Sequence, residues 1–496
     1  MNDRLCALEA ELKAVHAENK LLREKVNALI RLIYGPKSER MDPDQLTLLE
    51  GLEGKKAEAP AADEPAAWAP KKALRRAGKP GGPRLPEHLP VVEEVLDPDA
   101  VKATPQQWRQ IGEEVTEQLD YEPARFLKRR LIRRKYVNID QPYAPPVIAP
   151  LPACLQERCL GGAGLIAQVV VSKYADHLPL YRQAQIYRQR HKVIIPRQTL
   201  CRWVALAASW LEPLYKEMKR RQQHSGYLQV DETPIHYLAP GTGKAPQGYF
   251  WVTNDPHGDV IYHWHRGRAA QCLHEIIEPD FDGTLQCDGY KAYTSFQKQR
   301  AGPLQLAACW AHVRRKFFEA RERDPVVARW ILRQIGALYR IEHELREQRA
   351  GPALRTAVRT AQSAMIIARI KQALWLLKPR YLPQSAFGKA IAYAFEQWPA
   401  LLRFLDNGRL EIDNNRVENA IRPTKLGAKN WLFIGSEASG KTSAILFSVI
   451  ESAKRQGLEP YGYLKHLLQT LPNTTNHQLH KLLPKQMAKA KNAPVA

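Results

Sequence analysis

The chain has 496 residues, a formal net charge of +23 and a pI near 9.7, yet 44% of it is hydrophobic, so it can bury at least one sizeable core. A foldable chain this basic calls for a polyanionic partner, most often nucleic acid, with a ribosomal or membrane-surface protein as the bland alternative. Seven unpatterned cysteines (6, 154, 159, 201, 272, 287, 309), a charged N-terminus and no apolar run near the ~18 residues of a membrane helix lead us to expect no disulfide scaffold, no secretory leader and no membrane span. The expectation is a soluble, cytoplasmic protein.

Residues 1–34 carry a heptad. Leu5, Leu8, Leu12, Val15, Asn19, Leu22, Val26, Leu29 and Ile33 alternate spacings of three and four. Asn19 at a core position would fix register, and Glu18 faces Arg23 of a partner in a parallel dimer. The competing reading is a helix packed on its own core. Gly35-Pro36 ends it. Residues 35–90, rich in Ala, Pro, Lys and Glu from about 51, read as a flexible linker. Residues 91–150 read as a small β-rich domain with a basic strand, Arg125-Phe-Leu-Lys-Arg-Arg-Leu-Ile-Arg-Arg-Lys-Tyr.

Residues 151–222 read as helical. One helix starts near Pro179, His191-Lys-Val-Ile-Ile breaks it, and a second begins at Pro196 with an apolar stripe of Leu200, Trp203, Val204 and Ala207. Arg197, Gln198 and Arg202 lie off that stripe. This predicts a helix-turn-helix with the second helix as DNA reader, although an ordinary helical hairpin has the same pattern.

Strands are predicted at Tyr227–Val230, Tyr249–Thr253, Val260–His265 and Thr284–Cys287, with a helix at 270–277 before the last. Leu306-Ala-Ala-Cys-Trp then leads into the basic helix at His312. That order is the order of a ribonuclease-H-like core, over 223–323. Residues 324–405 read as almost wholly helical, an insertion expected to be a DNA or partner platform. Residues 406–456 resume the core, and 457–496 form a C-terminal helix and polar tail.

Three acids carry the chemistry. Asp231 and Asp288 each end a β-like run, and Glu418 opens a helix. Carboxylates on two adjacent strands and a packed helix can hold two Mg²⁺ or Mn²⁺ ions about 4 Å apart over a phosphodiester. Each also has a structural reading. Asp231 can simply end a strand beside Glu232, Asp288-Gly289 is a turn dipeptide, and Asn415 with Glu418 fits a capping box. The basic residues Arg422, Lys425 and Lys429 just beyond Glu418 are candidates for gripping the DNA backbone. Gly435-Ser-Glu-Ala-Ser-Gly-Lys-Thr442 matches a P-loop, but only about 54 residues follow, too few for the rest of such a sheet.

Several stretches resemble one family. They include Tyr34-Gly-Pro-Lys-Ser-Glu-Arg40, Ile111-Gly-Glu-Glu-Val-Thr-Glu-Gln-Leu-Asp120 and Val171-Ser-Lys-Tyr-Ala-Asp-His-Leu-Pro-Leu-Tyr-Arg182. Val230-Asp-Glu-Thr-Pro-Ile, Cys287-Asp-Gly-Tyr-Lys-Ala-Tyr, Cys309-Trp-Ala-His-Val-Arg-Arg-Lys-Phe-Phe and Ile412-Asp-Asn-Asn-Arg-Val-Glu-Asn-Ala-Ile-Arg-Pro continue the match. The chain is similar to the DDE transposases of insertion-sequence family 66. The resemblance implies Asp231, Asp288 and Glu418 as catalytic acids and metal ligands. It also implies water attack at the element's end followed by strand transfer, with accessory proteins encoded by the same element. Family members often carry a cysteine zinc knuckle where this chain has Asp97-Pro-Asp-Ala and Tyr136-Val-Asn-Ile-Asp. Cys154 and Cys159 lack a second pair, so no structural zinc is expected. The rival readings are a DNA-binding regulator on an inactive nuclease-like fold and a P-loop motor.

Overall fold

The computed structural model describes residues 126, 135–136, 147–148, 153–157, 159–239 and 244–491. The heptad, the linker and nearly all of 91–150 lie outside them. Of the basic region, the strands β1 (Lys135–Tyr136) and β2 (Val147–Ile148) pair antiparallel. The described chain is mixed α/β with a helical majority.

Helices α1 (Ala163–Tyr174), α2 (Leu180–His191) and α3 (Arg197–Gln223) come first. Lys192 ends α2 in the left-handed region, with φ of 58°. At 27 residues α3 spans about 40 Å. Leu200, Trp203, Val204, Ala207, Leu211, Leu214 and Met218 recur at helical spacing and are buried. Its C-terminal end is tied to the sheet by Gln222, whose Nε2 donates to the carbonyls of Thr253 and Asp259.

Strands β3 (Tyr227–Tyr237), β4 (Gln247–Asn254) and β5 (Val260–His265) form an antiparallel meander. After α4 (Ala270–Ile276), β6 (Thr284–Cys287) pairs parallel with β3. After α5 (Lys291–Gln299), β7 (Gln305–Ala308) pairs parallel with β6. The strand order is β5-β4-β3-β6-β7, with the short β8 (Phe433–Ile434) also parallel to β3. Leu228, Val230, Trp251, Leu273, Ile276, Leu285 and Phe296 form one buried cluster between the sheet and α4–α5.

Helix α6 (Trp310–Glu319) follows β7, and the block from α7 (Pro325–Glu347) through α8 (Pro352–Val358), α9 (Ala364–Leu377), α10 (Ala386–Glu396) and α11 (Trp398–Asp406) is helical. A π turn at Arg359–Ser363 joins α8 to α9. Trp310, Phe317, Ile331, Ile335, Ile370, Leu374, Phe387, Ile391 and Trp398 build its core. Within it Arg359 is fully buried. Its guanidinium donates to both oxygens of Glu342 (2.6 and 2.7 Å) and to the carbonyls of Phe404, Asn407 and Leu410.

The chain returns to the sheet with α12 (Asn415–Trp431) and α13 (Glu437–Arg455) and ends in α14 (Pro460–Thr470) and α15 (Pro484–Lys491). Helix α12 persists through Trp431, and Leu432 breaks it with φ of 65° just before β8. Helix α13 closes the outer side of β5. Ser448 and Ser452 accept from the backbone nitrogens of Tyr262 and Val260 at 2.8 and 3.0 Å, so two of that strand's outward donors are satisfied.

Candidate metal and DNA site

Asp231 does not end its strand. β3 continues to Tyr237 because β4 pairs with it through His236↔Gln247. The neighbour on the other side does change at Asp231. Pairing with β6 stops at Gln229↔Gln286, and β8 takes over only at His236. Asp231 and Glu232 therefore sit beside an opening in the ladder. Asp288 follows β6 directly, on the strand next to β3, and its Oδ1 accepts from the Tyr290 nitrogen at the start of α5.

Glu418 lies in the first turn of α12. Segment 411–414 brings it there, its backbone bonded to the sheet and to the start of α6 while the Glu411 carboxylate pairs with Arg346 and Arg355 of the helical block. Gln286 Nε2 donates to the Glu411 carbonyl (2.8 Å) and Gln229 Nε2 to the Asp413 carbonyl (2.9 Å). Asn414 Nδ2 donates to the carbonyl of Val230, the residue before Asp231, at 3.2 Å. The Trp310 nitrogen donates to the Ile412 carbonyl, and the Asn414 nitrogen to Cys309 Sγ. Gln229 and Gln286 are buried in the sheet, and these bonds satisfy them. A capping box at Glu418 is not formed. Asn414, not Asn415, precedes the helix, and no side chain caps it.

The electrostatics gather the acids. Burial pushes the Asp231 carboxyl well above the usual range, and Glu232, Asp288 and Glu418 add to the effect. Its Oδ1 accepts from the Glu232 nitrogen at 2.9 Å. Glu232 is raised by burial and by Asp288, while Tyr293 Oη and Arg268 Nε, both at 2.7 Å, hold its two oxygens. Glu418 faces α6, with His312 Nε2 at 3.7 Å and Arg315 at 3.5 Å, and its Oε1 has no hydrogen-bond partner. Burial lowers the pKa of His312 against the pull of Glu418.

Two carboxyls of raised pKa, Asp231 and Glu232, and an unpartnered Glu418 oxygen make a poor arrangement for a metal-free resting site. It suits hard divalent cations, whose charge would relieve the repulsion. Asp231, Asp288 and Glu418 are the residues that could hold them. Cys309, His312 and Glu418 also place ligand atoms within 4.8 Å of one another, a mixed donor set beside the acids.

The cationic candidates divide. Arg422, Lys425 and Lys429 are exposed and follow Glu418 at spacings of four, seven and eleven, on one face of α12. Lys425 Nζ donates to the Pro234 carbonyl. Arg197, Gln198 and Arg202 are exposed in the first turns of α3, and no described contact joins them to the acids. The P-loop pattern is a helix start. Ser436 Oγ caps α13 by accepting from the Ser439 nitrogen, and Glu437 occupies its first turn in an ion pair with Arg266. Gly440 is a packing glycine, since a Cβ there would lie 2.3 Å from the Trp264 ring.

The sequence reading gave no role to the Glu232 clamp, to His312 and Arg315, or to the two glutamines. Glu232 beside Asp231 and the i, i+3 spacing of His312 and Arg315 were visible signals. The glutamines had none, because their bonds to one another and to the Glu411 and Asp413 carbonyls join positions far apart along the chain.

Comparison with known proteins identifies the family. The family model described as "Transposase IS66 family" matches residues 158–442, which include all three acids. "IS66 C-terminal element" matches 448–484, and "Transposase C of IS166 homeodomain" matches 21–93. An uncharacterized protein of Sinorhizobium fredii, y4jD, is 34% identical over 489 residues, covering 93% of this chain and 94% of that one. A second from the same organism, y4qI, is 33% identical over 501 residues, covering 94% and 89%. With over half of its length matched by the family model and relatives this similar from end to end, the chain belongs to the IS66 family of transposases.

Proposed function

We propose that this transposase is a DDE enzyme that cleaves the ends of its element and joins the freed 3′-hydroxyl to target DNA. The observation that carries the reading is the Asp231 carboxyl, raised by burial and by Glu232, with further contributions from Asp288 on a neighbouring strand and Glu418 on a distant helix. The strand order, three antiparallel strands followed by two parallel ones, supports a ribonuclease-H-like core with the α7–α11 block inserted before Glu418. Helices α2 and α3 would be the DNA-reading helix-turn-helix, and the 1–34 heptad the dimerising zipper. Among the described residues no helix is long and apolar enough to cross a membrane, in keeping with a cytoplasmic enzyme acting on DNA.

Asp231, Asp288 and Glu418 would hold Mg²⁺ or Mn²⁺. When bound, two such ions activate the attacking oxygen and neutralise charge on the leaving one. The protein's own groups set the geometry. Arg268 and Tyr293 hold Glu232 by both of its oxygens. His312 and Arg315 orient Glu418. Arg422, Lys425 and Lys429 extend its face as a track for phosphates.

The test is cleavage of the element's own ends in vitro with Mg²⁺ or Mn²⁺. Asp231→Asn, Asp288→Asn and Glu418→Gln should each abolish nicking while leaving DNA binding intact. Nicking that survives all three substitutions would leave a DNA-binding regulator as the better reading.

A further inference from the structure

The insertion has a charge pattern unlike the rest of the chain. From Gln348 to Phe395 there is no Asp or Glu. Two of its arginines, Arg355 and Arg359, are committed to the buried acids Glu342 and Glu411. Others reach the surface around α9. Arg369, Lys371, Lys378 and Arg380 are exposed, and none belongs to a described ion pair.

Helix α9 also leaves an apolar stripe uncovered. Met365, Trp375 and Leu376 are 55%, 68% and 54% exposed. At 100° per residue these three, with Ala368 and Gln372, share one face, and Arg369 and Lys371 lie on its two flanks. The opposite face, Ile367, Ile370 and Leu374, is buried in the core of the block. An exposed tryptophan flanked by unopposed cations combines a stacking platform with phosphate-binding charge. A second copy of the chain fits less well, because a two-fold contact would set these cations against their own images.

We infer that the exposed face of α9 binds DNA with unpaired bases, Trp375 stacking on a base while Arg369 and Lys371 carry the flanking phosphates. The inference rests on the transposase reading and gives the insertion a specific task, holding a frayed or cleaved end away from the acids.

The test measures binding of full-length protein to a labelled oligothymidylate, a duplex with a 3′ overhang and a blunt duplex, at two salt concentrations. Trp375→Ala should weaken binding to the first two by about tenfold or more and leave the blunt duplex nearly unchanged. Trp375→Phe should restore most of the loss. Arg369→Glu with Lys371→Glu should weaken all three and flatten the salt dependence. Trp375 is exposed, so its loss should not unfold the block. Variants that bind every substrate like the wild type would overturn the inference while leaving the transposase reading in place. Unchanged DNA binding with weakened self-association in sedimentation would also overturn it, in favour of a second copy on this face. A wild-type protein that binds none of the DNAs would overturn both readings.

Discussion

Gln229 donates from its side-chain nitrogen to the carbonyl of Asp413, 2.9 Å away and 184 positions later in the chain. The same nitrogen reaches Gln286 on the adjacent strand, and Asn254 Nδ2 donates to its Oε1. One buried amide thus joins the strand of Asp231, the strand of Asp288 and the segment that delivers Glu418. Replacing it with leucine keeps the volume and strands several buried partners. Gln229→Leu should cost about 1–3 kcal/mol in denaturant unfolding, the penalty for an unsatisfied buried group. It should also speed backbone hydrogen exchange across 411–418 more than at β4. Exchange unchanged at 411–418 would show that the segment is held by other contacts.

The crowded acids make a stability prediction with a definite sign. A carboxyl whose pKa is raised on folding favours its neutral form. Its contribution is greatest below the unfolded aspartate pKa of about 4 and is lost as pH rises through the higher folded value. Without divalent ions, Asp231→Asn should melt about 2–4 °C above wild type at neutral pH and match it in acid. Added Mn²⁺ should raise the wild-type Tm and leave the variant almost unmoved. Equal Tm values at every pH, with and without Mn²⁺, would mean that Asp231 is not part of a charged cluster.

The buried Arg359–Glu342 pair gives the opposite pH behaviour. Burial disfavours the Glu342 charge, but the bonds from Arg359 and Arg355 prevail and hold its pKa below the ordinary value. Stability from the pair is present above the usual glutamate range and is lost as pH falls through the lower folded value. Arg359→Met should cost about 3–5 kcal/mol by leaving Glu342 short of a partner. Glu342→Leu in the same chain should recover part of that loss. Thermal melts from pH 3 to 8 check both the size and the acid limb.

Gly440 and Lys441 separate packing from nucleotide binding. Gly440→Ala pushes a methyl group into Trp264 and should cost about 1–3 kcal/mol. Lys441 is exposed, and Lys441→Ala should leave stability, DNA cleavage and nucleotide hydrolysis at wild-type levels. ATP hydrolysis that disappears in Lys441→Ala would revive the P-loop motor.

Local pattern made much of this legible. The spans of β5 and β6 follow directly from short runs of β-prone residues between turn residues, and α3 from the spacing of Leu200, Trp203, Val204 and Ala207. The end of β3 was hidden because Glu232, Thr233 and Pro234 resemble a turn. They remain in the strand only because β4 pairs with them. Glu418 could be singled out as an acid opening a helix, but its surroundings could not. His312 and Arg315 meet it, and the Gln229–Gln286 pair holds the segment before it, through contacts more than a hundred residues apart, which no local period encodes.

The opening beside Asp231 has a cost of its own. Between Val230 and Ile235, β3 has no strand on the β6 side, so a central strand shows a stretch of bare backbone there. Such a stretch could template pairing with a stray chain and seed aggregation. Helix α12 guards it: Asn414 occupies the Val230 carbonyl, Lys425 the Pro234 carbonyl, and proline itself offers no donor. Truncation before α12 would therefore remove more than an acid. It would bare the unpaired backbone of a central strand, and solubility would be lost with it.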